Sequence, residues 1–214
     1  MTDTASSRDP SDPFWVRVRA ALHARRPERQ PAYGTAAIAR SIGIRPKLGS
    51  IIEEEMVRGW QSAAGRHVSL SLLVIEIDRF QDYFTAYGKD AADDCSRAIM
   101  GAIGAALPRE TDRCLPMGAA GFVVVLPDLP ALMARAMAAR IAENVRHLGL
   151  AHKESHLGVV TISQGLAVTN PRGAYDRRFF EAGAEALKKA QRKGMGRLEG
   201  IDLRPALERR RKAA

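Results

Sequence analysis

The chain has 214 residues and is 46% hydrophobic, which suits one ordinary domain with a real core and short appendages. No apolar run reaches the ~18–20 residues of a membrane helix, and the opening M-T-D-T-A-S-S-R-D-P-S-D-P lacks the basic-then-apolar order of a secretory signal, so the expectation is a cytosolic protein without membrane insertion. The formal net charge of +9 favours an anionic partner but does not choose between nucleotide, nucleic acid, acidic protein and membrane surface.

Residues 1–13 are polar and contain Pro10 and Pro13, a composition that predicts disorder. Phe14 to His23 predicts a short amphipathic helix, and residues 24–34 a linker. Thr35 to Ile44 has a faint similarity to the first half of a helix-turn-helix, too common a pattern to argue for DNA binding. Gly49 to Ala63 predicts a helix with Ser50 as its N-cap and Glu53, Glu54 and Glu55 near its positive end. Val68 to Ile77 predicts a central strand. A short helix follows over Arg79 to Tyr87 and stops at Gly88, and a second runs from Ala91 to Leu107.

Next comes R-E-T-D-R-C-L-P-M-G-A-A-G-F-V-V-V-L-P-D, residues 109–128. Gly118 and Gly121 suit a tight reversal, and the apolar run from Phe122 to Leu126 has strand length and ends at Pro127. The stretch predicts a β-hairpin with its second strand buried. Asp128 is expected to cap a helix from Leu129 to Leu148. Val159 to Val168 predicts a strand, Arg177 to Lys193 a helix broken by Gly194 and Gly196, and Arg197 to Leu203 an edge strand. Strands separated by helices, with one internal hairpin, predict an α/β fold: a central mixed β-sheet covered by helices. Cys95 and Cys114 predict two free thiols, and the five histidines have no zinc-like spacing.

Three segments carry a family resemblance: I-E-I-D-R-F at 75–80, the Gly-containing hairpin tip, and V-T-I-S-Q-G at 160–165. Over Ala39 to Asp202 the chain resembles the GGDEF domain of diguanylate cyclases, which make cyclic di-GMP from GTP. The resemblance implies a nucleotidyl-cyclase-like fold in residues 39–203, with an extension at 1–38 and a basic tail at 204–214. It also implies a two-cation site held by carboxylates. The first metal carboxylate of the family falls on Glu76. The signature motif falls on Gly118, Ala119, Ala120, Gly121 and Phe122, so its acidic third and fourth positions are Ala120 and Gly121, which have no side-chain oxygen. The guanine-reading positions fall on Phe84 and Asp93, and the phosphate-binding Lys and Arg on Gln191 and Met195. The expectation is a degenerate active site that is not an enzyme and needs no metal cofactor, with Glu76 as a strand-end carboxylate and Asp78 as a local cap or turn partner.

A second family feature survives. The product-binding inhibitory pattern R-x-x-D lies five residues before the signature motif, and Arg109 and Asp112 stand in that register, with Arg140 at the offset of a further family arginine. An arginine fork suits phosphate or a guanine edge, and a carboxylate suits guanine N–H groups. The expected function is therefore a cyclic di-GMP receptor that forms a ligand-linked homodimer and signals to a protein partner. The rivals are a nucleotide-independent scaffold and a nucleic-acid-binding regulator using the basic ends.

Overall fold

The structure is a computed structural model that describes residues 48–205. The expected extension at 1–38, with its amphipathic segment at 14–23 and linker, the helix-turn-helix-like stretch and the tail beyond residue 205 lie outside the described residues.

Helix α1 spans Leu48–Gly65 and buries Ile52, Met56, Trp60 and Ala63, one stripe at helical spacing. Ser50 lies inside its first turn rather than capping it, so Glu53 to Glu55 fall one turn too late to face the helix start. Strand β1, Leu70–Ile77, is buried along nearly its whole length. Helix α2, Phe80–Ala106, is one element with a break at Gly88, whose φ of 83° only glycine adopts freely. The two helices expected on either side of Gly88 are both present, meeting at a kink where Gly88 itself is not helical. Strands β2, Arg113–Met117, and β3, Gly121–Pro127, form the expected antiparallel hairpin. Only Gly118 takes a positive φ at its tip, while Gly121 is already the first residue of β3.

Helix α3, Ala131–His147, starts two residues later than expected, after Pro130 in extended conformation. Asp128 does not cap it. Its backbone is left-handed at φ 58°, and its carboxylate accepts from Arg66 Nη2 at 2.6 Å instead. Strand β4, Ile162–Thr169, begins beyond Val159, which forms only an isolated bridge with Ala151. Helix α4, Arg178–Arg192, and strand β5, Leu198–Asp202, complete the chain order.

The sheet order is β2-β3-β1-β4-β5, antiparallel except for the parallel β4–β5 pair. The edges are the hairpin strand with Pro116 and the last short strand. Alternation along the strands divides the core into two halves. Leu70, Leu72, Val74, Val123 and Val125 pack with Met56, Trp60, Phe179 and Leu187, so α1 and α4 cover one face. Leu73, Ile75, Ile77, Phe122 and Val124 pack with Ile99, Ile103, Ala138 and Ile141, so α2 and α3 cover the other. Burial on both faces explains why β1 is mostly apolar and Phe122 to Leu126 in β3 is an uninterrupted apolar run. The free thiols of Cys95 and Cys114 are both pushed up to about 11 by burial, which makes them poor nucleophiles. Among the described residues, no helix is long and apolar enough to cross a membrane.

Candidate functional site

The end of β1, the hairpin tip and the turn between α4 and β5 meet at one end of the sheet. Glu76 sits opposite Gly121 on β3 and Ser163 on β4. Gln191, on the last turn of α4, donates from Nε2 to Glu76 Oε2 at 2.6 Å. A neutral amide thus holds the carboxylate at the position where the resemblance expects a cationic phosphate ligand. Beyond it, Ile77 N–H donates to Ala120 O at 2.9 Å and ties the tip of the hairpin to the end of β1.

Asp78, expected as a local cap or turn partner, follows, and its partners come from turns and strands distant in the chain. Its carboxylate accepts from Thr161 Oγ1 at 2.7 Å, Ser163 Oγ at 2.6 Å and Gly196 N–H at 2.8 Å. Its own N–H donates to Thr161 O at 2.9 Å. One buried carboxylate therefore joins the β1–α2 turn, β4 and the α4–β5 turn. Asp78→Ala would leave two hydroxyls and one amide without their acceptor. The expected loss is ~3–5 kcal/mol of unfolding free energy in urea titration; a loss below about 1 kcal/mol would show that the clamp does not hold the turns.

The other positions in the family pattern do not converge on a ligand-ready pocket. Phe84 is 42% exposed on α2. Asp93 is exposed and pairs with Lys89, one turn earlier on the same helix. Gly118 and Ala119 are exposed, whereas Phe122 is buried in the core. Met195 is half-buried beside Gly196. The two-cation site implied by the resemblance does not fit these residues. Glu76 is engaged by Gln191, the Asp78 oxygens are taken by three donors, and the tip has no carboxylate. Among the described residues, no group of three or more His, Cys, Asp or Glu side chains could hold a metal ion.

The second cluster lies upstream, between α2 and β2. Asp112 N–H donates to Arg109 O at 3.0 Å, a tight turn that brings the two side chains together. Arg109 Nη2 donates to Asp112 Oδ1 at 2.6 Å and Nε donates to Oδ2 at 3.3 Å. Arg109 Nη1 donates to Asp128 O at 3.0 Å, just past the end of β3. The Asp112 side chain is 0% exposed and the Arg109 side chain 31%. The pair is thus a half-buried fork rather than a solvated surface bridge. Three guanidinium N–H groups are engaged, and one on each terminal nitrogen remains. The neighbouring Arg113 caps this turn by donating to the carbonyls of Glu110 and Asp112.

Arg140 lies on the outer face of α3, exposed, and no hydrogen bond or ion pair within the described residues connects it to this fork. Two of the three expected ligand residues therefore stand together and the third stands apart. Sequence reasoning missed the burial of Asp112 and the part taken by Asp128. It also missed His152, a buried ring edge-on to Tyr83 with centroids 5.3 Å apart, whose Nε2 lies 3.3 Å from Arg79 O. No local pattern could have shown these, because each depends on a partner distant in the chain.

The family model for the diguanylate cyclase GGDEF domain matches residues 50–197. The chain belongs to the GGDEF family. Among curated proteins it is similar to the probable diguanylate cyclase DgcT of Escherichia coli, with 27% identity over 139 residues, 64% of this chain and 30% of that protein. It is also similar to the probable diguanylate cyclase DgcC of the same species, with 29% identity over 147 residues, 68% of this chain and 39% of that protein. The chain thus spans well under half the length of these relatives. Among solved structures, the GGDEF domain of DgcB from Caulobacter crescentus, in complex with c-di-GMP, superposes with a TM-score of 0.62 at 22% identity, covering 70% of this chain and 87% of that one. That likeness supports the fold: the mixed five-stranded sheet and the four helices among the described residues are those of a GGDEF domain.

Proposed function

We propose that this GGDEF domain has lost cyclase activity and acts as a cyclic di-GMP receptor through Arg109, Asp112 and Arg140. The observation that carries the reading is the Arg109 fork. Asp112 and Asp128 O fix the guanidinium plane, the side chain is 31% exposed, and two N–H donors stay uncommitted. A pre-oriented arginine of this kind suits a phosphodiester or a guanine edge. The loss of carboxylates at the hairpin tip, together with the occupation of Glu76 and Asp78 by neutral donors, argues against GTP turnover. In this reading Arg140, exposed and unengaged within the described residues, meets a ligand held by a second copy. The output passes to a protein partner.

One observation favours a second reading. The Asp112 side chain has no exposure, so it can meet a ligand only if the fork opens. If the fork is a purely structural tie, the domain is a nucleotide-independent interaction scaffold. Isothermal titration of the full chain with cyclic di-GMP, with size-exclusion chromatography at each end point, separates the two. The receptor reading expects saturable binding at micromolar ligand or below, a shift toward dimer, and no product from GTP and magnesium. A silent titration at 100 µM ligand, about a millimolar-range Kd or weaker, would leave the scaffold reading standing.

A further inference from the structure

Asp128 is the hub of a contact set that the family pattern does not predict. It is a non-glycine residue held in the left-handed region at φ 58°. Each of its polar groups goes to a different element. Its N–H donates to Ser69 O at 2.8 Å, at the start of β1. Its C=O accepts from Arg109 Nη1 at 3.0 Å, in the candidate ligand site. Its carboxylate accepts from Arg66 Nη2 at 2.6 Å, just past the end of α1.

The turn it grips is itself constrained. His67, next to Arg66, is also left-handed at φ 54°. Arg66, His67 and Val68 donate back to Ser62 O, Ala64 O and Ala63 O, closing the last turn of α1. Two residues in a sparsely populated backbone region thus lie on either side of one ion pair. Such positions persist only where neighbouring contacts hold them, which is the usual setting of a two-state element.

We infer that Asp128 is a positioning residue that couples the Arg109 site to the end of α1. Arg66 holds the Asp128 carboxylate, which keeps the Asp128 carbonyl on Arg109 Nη1, which in turn aims the guanidinium. By reciprocity, a ligand that draws on Arg109 shifts the α1–β1 turn. The inference rests on the receptor reading above.

The test is a double-mutant cycle on cyclic di-GMP affinity. Arg66→Gln removes an exposed guanidinium, with both partners of the pair about half exposed at 52% and 43%, so the melting temperature should hardly move. Asp128→Gly keeps the carbonyl and the left-handed backbone but removes the carboxylate. Asp128→Asn keeps both and leaves an oxygen that can accept from Arg66. The expected result is about a fivefold weaker Kd for Arg66→Gln in the native background. In Asp128→Gly the same substitution should change nothing further, and Asp128→Asn should bind nearly as the native chain does. An unchanged Kd for Arg66→Gln would overturn the coupling. So would an equal weakening in the Asp128→Gly chain, which would mark a through-space loss of positive charge. A silent titration by the native chain overturns the receptor reading itself, and the coupling with it.

Discussion

Gly165→Ala is expected to be the most damaging single substitution in the domain. A Cβ built at Gly165 would lie 2.2 Å from Gly183 O, 2.2 Å from Leu187 N and 2.8 Å from Leu187 Cα, all backbone atoms of α4. No side chain can rotate away to relieve such a contact. Either α4 lifts off the sheet or β4 bends at its centre. Lifting α4 would open the half-core in which Phe179 and Leu187 pack against Leu72 and Val74. It would also draw Gln191 from Glu76. Overpacking against backbone belongs at the upper end of the usual range, ~3 kcal/mol or more. For a domain of this size that is a fall of roughly 10 °C in melting temperature. Gly101→Ala is the matched control: it lies exposed within α2 with nothing inside 4 Å of the added methyl, so it should stabilise by ~0.5–1 kcal/mol. A melting temperature within 2 °C of native for Gly165→Ala would mean that α4 does not approach β4 this closely.

The fold was legible where one physical cause dominates a local stretch. V-S-L-S-L-L-V-I-E-I reads as a central strand because both of its faces are buried, and Gly88 reads as a break because glycine alone takes its positive φ freely. Helix starts were less legible. Ser50 and Asp128 are both good cap residues by type, yet one lies inside α1 and the other is drawn away by Arg66, and nothing in the local sequence reveals either competitor. The missing chemistry at the hairpin tip was legible, since Ala120 and Gly121 have no side-chain oxygen whatever the fold. What replaces that chemistry was not. The donors to Asp78 come from Thr161, Ser163 and Gly196, and the donor to Glu76 from Gln191, all brought in by tertiary contact. The same holds for depth. R-x-x-D gives the spacing of Arg109 and Asp112 but not the burial of Asp112, whose side chain is 0% exposed.

That burial sets the order in which the ligand residues should be tested. Arg109→Ala alone is a poor probe, because it leaves a fully buried carboxylate without its partner. Breaking a buried ion pair costs ~3–5 kcal/mol. With Arg109 about one-third exposed, solvent screening lowers the expectation to ~2–3 kcal/mol. A loss of binding in that variant could then follow from unfolding alone. Arg140→Ala avoids the difficulty. The side chain is exposed and engages nothing among the described residues, so its removal should leave the melting temperature unchanged. If Arg140 meets a ligand phosphate or guanine, one charge-assisted contact is lost, ~1.5–3 kcal/mol, which weakens Kd roughly 10- to 100-fold. The double variant Arg109→Ala/Asp112→Ala completes the argument: removing both partners takes away the orphaned charge, so most of the stability returns while binding stays lost. Native-like affinity in a stable double variant would show that the fork is only a structural tie. Native-like affinity in Arg140→Ala would take α3 out of the ligand site and leave the Arg109 fork as its whole protein contribution.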